Sequence, residues 1–411
     1  MRGQFRPGRI VQSFLDTDLY KLFTHQAIFE LFNDTEVTLQ FQVRSNEDFS
    51  PYVCDVRTEI EALADLRFQQ SEIWYLQSLG RQPNRKHGFF KPAFIDYLRH
   101  YRLNPSLCKV RCDNTGQLTI EARGTWLDVI HYEVFVLTIV SELRYRCCAK
   151  PADLAQQKQH MAAKIHHFLK QAQQMDLDIS ALRVFDFGTR RRISYATHWD
   201  MIDYIHRALP DGVFGGTSNL HIAREMNLPS IGTQGHEWYM AHQQLAVLHQ
   251  FQRKALTHWI EVYRGDPGYA LTDTIGMDAF FKDFDRFCAK LYDGLRQDSG
   301  DPFLFAQKAI NHYQSLGIDP SSKCLLFSDD QDLDQSLLKL YQAFHQQITI
   351  HAGIGSKFSA DIPCCNVPSI VMKLIETDGH PVAKLSDSKA KRSCPSPAFE
   401  RILKETFNYQ D

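Results

Sequence analysis

The fold is decided between residues 182 and 361. Seven short apolar runs there end in glycine or polar clusters: LRVFDFGTRRR (182–192), DGVFGGTSN (211–219), LPSIGTQGHEW (228–238), YALTDTIGMDAF (269–280), LYDGLRQDSGD (291–301), KCLLFSDDQDLDQ (323–335) and ITIHAGIGSKFSAD (348–361). Each is followed by a helical pattern. Strand, loop and helix repeated in this way imply parallel strands, and seven or so units in one block favour a closed or nearly closed α/β barrel over an open sheet. Chemistry then belongs on the loops at the strand C-termini.

Upstream, DTDLYKLFTHQAIFELF (16–32) has Asp or Thr in capping position and apolar residues at helical spacing, so an amphipathic helix is expected to open the protein. In EVTLQFQV (36–43), Val37, Leu39, Phe41 and Val43 alternate with polar residues, the period of a half-buried strand. Helices are expected over about 56–102, a strand at 117–122, a long buried helix at 126–146 and a polar helix at about 152–174. Near the end, PSIVMKLIE and PVAKLSD flank TDGH, an Asp-Gly turn that predicts a β-hairpin returning to the N-terminal sheet. The expected organisation is an N-terminal α+β domain (1–125), an α/β barrel (126–365) and a C-terminal segment (366–411) that completes the first domain.

The 411 residues leave ample room for a core. Lys+Arg 46 against Asp+Glu 48 give a formal charge of −2, so no global basic field exists to bind nucleic acid. Any anion site must be local. The longest apolar stretch, around Val134 to Val140, is far short of the roughly 20 residues that cross a bilayer. MRGQFRPGRIVQSFLD has no continuous apolar segment of the secretory kind, so the cytoplasm is expected. Ten cysteines include the adjacent pairs Cys147/Cys148 and Cys364/Cys365 but no CxxC, which fits reduced thiols rather than a zinc ribbon or a redox motif.

Barrel geometry would bring Arg190, Arg191 and Arg192, Thr217-Ser218-Asn219, His236-Glu237, Asp273, Arg296, Asp298, Asp301, Asp329-Asp330 and Gly353-x-Gly355-x-Lys357 to one mouth. Guanidinium forks match phosphates and carboxylates, and glycines beside a lysine let an anion approach the backbone. A solvated arginine face and a tight strand-to-helix turn are the alternatives. No GxxxxGK[ST] or GxGxxG occurs, so neither a Walker site nor a dinucleotide fingerprint is present. His236 and His242 stand six residues apart, not four, which rejects a helical zinc-protease site. Asp329-Asp330-x-Asp332-x-Asp334 lacks the Gly and distant Glu of a calcium loop.

The ordered motifs LDTDLYKL, DFGTRRR, GTSN, GTQGHEWYMAHQ, ALTDT, GLRQDSGDP, FSDDQDL, GIG and PVAKLSDS resemble those of the bacterial nicotinate phosphoribosyltransferase family, over nearly the whole chain. The resemblance implies an irregular α/β barrel with a second, mainly N-terminal α+β domain, and homodimers with shared active sites. It implies formation of nicotinate mononucleotide and pyrophosphate from nicotinate and phosphoribosyl pyrophosphate in NAD salvage, with ATP hydrolysed through a phosphohistidine and Mg²⁺ required. By similarity His236 is the phosphorylated residue, Asp273 orients its imidazole, and Asp298 binds ribose hydroxyls or metal. Phe187 and, from a partner subunit, Tyr20 would sandwich the pyridine ring. Arg296 and the Thr217-Ser218-Asn219 turn would lie near the carboxylate, Arg190 near the ring or phosphates, and Gly353, Gly355 and Lys357 at the phosphate. Nicotinamide users carry Asp where this chain has Ser218, so nicotinate is expected over nicotinamide or quinolinate. The loop GIGSKFSAD departs from the family pattern, which has Thr after the second Gly. The rival readings are a barrel hydrolase using Asp298 and Asp301 on a sugar, and a non-catalytic ligand-binding relative.

Overall fold

The computed structural model describes residues 8–44, 47–81, 88–149, 151–362 and 366–409. Cys364, Cys365 and the first seven residues of the N-terminal stretch lie outside them. Eleven strands run β1 (Glu36–Val43), β2 (Cys108–Cys112), β3 (Leu118–Thr125), β4 (Arg183–Asp186), β5 (Phe214–Thr217), β6 (Tyr269–Leu271), β7 (Gly294–Gln297), β8 (Cys324–Phe327), β9 (Thr349–Ile354), β10 (Ile370–Thr377) and β11 (His380–Pro381).

They form two sheets. The first is antiparallel, in the order β11-β10-β1-β3-β2. The alternation read in β1 sets its register: Leu39 faces Leu374 on one side and Ala122 on the other, and Phe41 faces Met372 and Ile120. All six are buried. The expected hairpin is present, with Asp378 and Gly379 both at positive φ, as a type I′ turn demands. It does return to the N-terminal sheet, and β10 lies directly against β1.

The second sheet is wholly parallel, in the order β5-β4-β9-β8-β7-β6. It has six strands, not seven. LPSIGTQGHEW contributes only a single bridge, Ser230 to Thr217 of β5. Its backbone continues alongside β5, with Ile231 N–H donating to Thr217 O at 3.1 Å. The Gln234 side-chain oxygen then accepts from Leu271 N–H of β6 at 3.3 Å. Thus one irregular segment spans the two edge strands, and the barrel closes through a side chain instead of a ladder.

Three helical expectations need correction. The first helix, Leu19–Leu31, is not amphipathic: each residue from Leu19 to Ile28 is buried, including Lys21, because other helices and the aromatic residues Phe90, Phe94, His131 and Tyr263 pack around it. Asp18 stands at its N-cap, yet its carboxylate makes no capping bond and turns to Ser218 and Arg190. The helix expected at 126–146 is two, Trp126–Val129 and Tyr132–Cys148. The second ties the layers together, since Thr138 Oγ1 donates to Thr189 O at 3.3 Å and Ser141 Oγ to Arg192 O at 2.9 Å. Among the described residues no helix is long and apolar enough to cross a membrane.

Candidate active site

A cavity of about 440 Å³ opens at the C-terminal ends of β4, β7, β8 and β9, with the first sheet's β10 as its opposite wall. Parallel strands expose their loops there, so residues far apart in sequence converge. Tyr20, Phe187, Arg190, His236, Arg296, Asp298, Gly353, Gly355 and Lys357 all line it.

Two aromatic rings each carry a guanidinium. The Arg296 guanidinium carbon is 5.6 Å from the Phe187 ring centre, and that of Arg190 is 5.9 Å from Tyr20. Phe187 lies on Gly353, where a Cβ would come within 2.3 Å of the ring. Gly353 therefore serves the aromatic wall, whereas Gly355 would place a Cβ 3.5 Å from only the Phe187 carbonyl. This chain's own Tyr20 lines the cavity: its hydroxyl donates to Glu133 Oε2 at 2.9 Å and its ring abuts Gly235.

The arginine triplet divides into three roles. Arg192 is fully buried and bonds Asp16 and Glu142, so it is structural. Arg190 lies 3.5 Å from Asp18 and 3.4 Å from Glu133. Arg191 lines the cavity, its guanidinium pushed down to about 10 by burial and by Arg190. The Thr217-Ser218-Asn219 turn does not line the cavity. Thr217 Oγ1 donates to Asp186 Oδ2 at 2.6 Å, Ser218 Oγ donates to Asp18 Oδ1 at 2.7 Å, and Asn219 caps the helix Leu220–Met226. These residues act behind Phe187 and Arg190, because polar groups in so buried a turn satisfy one another first.

His236 is the first residue of the helix His236–Leu245, and its side chain is 21% exposed. Nε2 lies 2.8 Å from Asp273 Oδ1 and 3.8 Å from Asp298 Oδ2. Burial and the Lys384 cation outweigh the two carboxylates and push the imidazole down to about 4. It is neutral at pH 7, with Nε2–H donated to Asp273 and a lone pair on Nδ1. Asp273 Oδ2 accepts from Ser299 Oγ at 2.6 Å and meets Lys384 Nζ at 2.7 Å. Burial opposes ionisation of Asp273, but Lys384 and His236 hold it well below the usual carboxylate range. Asp298 Oδ1 in turn accepts from Arg296 Nη2 at 3.1 Å and Ser328 Oγ at 2.9 Å.

His236, Asp273 and Asp298 offer three donor atoms within 4.8 Å of one another. The trio does not suit a resident divalent ion, because the Lys384 ammonium already lies 2.7 Å from Asp273 and 3.9 Å from Asp298. Mg²⁺ prefers one or two carboxylates together with substrate phosphates. Of the aspartates at the cavity wall, Asp298 is held by Arg296 and Asp329 by Lys391, and Asp330 stands beside them.

Lys384, Glu133, Arg44, Lys373 and Lys391 also reach this site, and the sequence reading passed over them. Lys384 stands in the quoted PVAKLSD motif and Lys373 in the quoted PSIVMKLIE, which were the available signals; Glu133, Arg44 and Lys391 carry none. Lys373 is pushed down to about 7 by burial and then by Lys384 and Arg44, which marks this end of the cavity as strongly electropositive. Asp301 does not join the site. It caps the helix Pro302–Ser315, accepting from Leu304 N–H at 2.8 Å, so the paired-carboxylate hydrolase reading loses its second acid.

Residues 182–411 match the model of the nicotinate phosphoribosyltransferase (NAPRTase) family, and residues 15–141 match that of its N-terminal domain. Nicotinate phosphoribosyltransferase 1 of Pseudomonas aeruginosa is 43% identical over 401 residues, covering 97% of each chain. A nicotinate phosphoribosyltransferase of Escherichia coli is 41% identical over 400 residues, 97% of this chain and 96% of the relative. The crystal structure of nicotinate phosphoribosyltransferase from Vibrio cholerae superimposes with a TM-score of 0.91 at 37% identity, covering 99% of this chain and 96% of that one. The one from Porphyromonas gingivalis gives 0.88 at 31% identity, covering 97% and 100%. Family models that together span most of the chain, and relatives at 43% and 41% identity over nearly its whole length, place it in the nicotinate phosphoribosyltransferase family.

Proposed function

We propose that the chain joins nicotinate to the ribose of phosphoribosyl pyrophosphate, releasing pyrophosphate, with ATP hydrolysis coupled through His236. The observation that carries the reading is the single cavity shared by two cation-bearing aromatic rings and a carboxylate-held neutral imidazole. Phe187 and Tyr20 stack on the pyridine ring, with Arg296 and Arg190 beside its carboxylate. This cationic environment favours the acid over the amide. Ser218 supports that preference only indirectly, through Asp18 and Arg190.

The pyridine nitrogen attacks the ribose C1 as the bond to pyrophosphate breaks. Positive charge grows on the sugar and negative charge on the leaving group. Asp298 faces the former, and Arg44, Arg191, Lys357, Lys373 and Lys391 the latter. In the ATP step Nδ1 of His236 takes the γ-phosphoryl group and ADP leaves; water later returns the imidazole and inorganic phosphate. Asp330, with Asp298 and Asp329, lies at the cavity wall where Mg²⁺ would be held together with donor phosphates, and the ion would neutralise part of their charge. A homodimer with shared active sites is proposed. A cytoplasmic location is proposed, in keeping with free thiols at Cys54, Cys108, Cys112, Cys147, Cys288, Cys324 and Cys394.

Purified protein given nicotinate, phosphoribosyl pyrophosphate, ATP and Mg²⁺ should form nicotinate mononucleotide and pyrophosphate. Preference for nicotinamide or quinolinate would reject the substrate assignment, and binding without product would identify a non-catalytic relative. His236→Ala should abolish acid-labile labelling from γ-labelled ATP and remove the stimulation by ATP.

A further inference from the structure

The ring clamp and the phosphorylatable helix each have a charged neighbour in the chain, Lys21 beside Tyr20 and Glu237 beside His236, and these two side chains meet. Lys21 Nζ lies 2.8 Å from Glu237 Oε2 and 2.5 Å from Glu133 Oε2. The Lys21 side chain is fully buried and that of Glu237 is 6% exposed. Tyr20 OH donates to the same Glu133 oxygen at 2.9 Å. The second Glu237 oxygen, Oε1, is buried and has no partner. A Cβ on Gly235 would come 2.9 Å from the Tyr20 ring, so clamp and helix start are also in van der Waals contact.

A buried ammonium between two carboxylates is stiff, because separating it from either partner leaves a charge unpaired in a poorly solvated interior. The helix start therefore cannot shift without moving Lys21, and Lys21 is covalently next to the clamp. A phosphoryl group on His236 adds about −1.5 to −2 charges one residue from Glu237. It repels a carboxylate that has one oxygen uncommitted, and Lys21 is the cation this carboxylate holds, so a displacement of Glu237 reaches Lys21 directly.

We infer that the buried Lys21–Glu237 pair is the link through which the phosphorylation state of His236 sets the position of the Tyr20 ring, and with it the affinity for the flat acid. Both are positioning residues. The inference rests on the ATP-coupled reading above, and it differs from that reading in what must fail. Glu133 is a poorer probe, since it also holds Arg190.

The test uses the full-length chain and two measurements: acid-labile label from γ-labelled ATP, and the nicotinate KM with and without ATP. The wild type should take label and show a KM lowered at least fivefold by ATP. Glu237→Gln, which keeps shape and removes charge, should still take label while ATP changes its KM less than twofold. Lys21→Met should behave alike, Lys21→Arg should recover at least half the ATP effect, and the double variant Lys21→Met/Glu237→Gln should be no worse than either single one. A labelled Glu237→Gln that keeps the wild-type KM ratio overturns the link. So does a variant that loses label and KM response together, which would make the pair part of the phosphorylation site. A wild type that takes no label sinks the ATP reading, and the link falls with it. Should Lys21→Met fail to fold, Glu237→Gln decides alone.

Discussion

Lys384 stands between Asp273 and Asp298 with its side chain 2% exposed, and it does two jobs at once. It compensates a buried carboxylate, and it depresses the His236 imidazole. Lys384→Met removes both effects. Breaking one partner from a buried pair costs about 3–5 kcal/mol, so urea unfolding should report a loss of that order. The sign of the pH effect follows from the charge removed. Without the cation, the imidazole rises from about 4 toward its ordinary range, so protonation consumes the Nδ1 lone pair at higher pH. The acid limb of His236 labelling should move up by about one pH unit, the shift that a 1.4 kcal/mol change in charge interaction produces. An unmoved limb would mean that Lys384 does not tune the nucleophile. The lysine itself was legible only as part of a motif, because PVAKLSD reads as a strand-like run whose polar residue could have faced solvent. Ser218 failed in the opposite sense: its motif suggested a substrate contact, while the fold turned its hydroxyl to Asp18.

Among the secondary-structure elements, the loop after β4 is the most constrained. Asp186 holds it from beneath, accepting from Gly188 N–H at 2.9 Å and Thr217 Oγ1 at 2.6 Å, with His198 Nε2 at 2.9 Å. Above it, β9 must be bare where Phe187 lies flat. Gly353→Ala should fold with little loss of stability, since the strand's own ladder is untouched, yet it should displace the ring and raise the nicotinate KM at least tenfold. The KM for phosphoribosyl pyrophosphate should change less than threefold; equal effects on both substrates would refute the assignment of Gly353 to the aromatic wall. The strand-loop-helix rhythm made β4 to β9 legible, because buried parallel strands read as short apolar runs. It overcounted at LPSIGTQGHEW, where Pro229 and the glycines leave a chain that touches β5 without joining the ladder.

At the scale of the whole molecule, the catalytic cavity is a joint between two sheets. Lys373 on β10 and Lys384 beyond it come from a segment that follows the barrel in sequence and yet belongs with β1 in space. The first sheet thus lacks a neighbour for its central strand until that segment arrives. A fragment of residues 1–149 should therefore fail to fold, giving no cooperative thermal transition by circular dichroism, while the full chain unfolds cooperatively. A stably folded fragment would show that β10 is dispensable to the sheet.

Thr38 and Glu376, bonded across the β1–β10 ladder, are 338 residues apart in the chain. At ribosomal speeds of about 5–20 residues per second, β1 emerges roughly 15–70 s before the strand that covers its flank. For that interval a nascent chain carries an open strand edge rich in Val, Leu and Phe, a template for pairing with a neighbouring polypeptide on the same message. Yield in a cell should thus depend on how crowded translation is and on chaperone supply, even though the finished protein has its edge sealed.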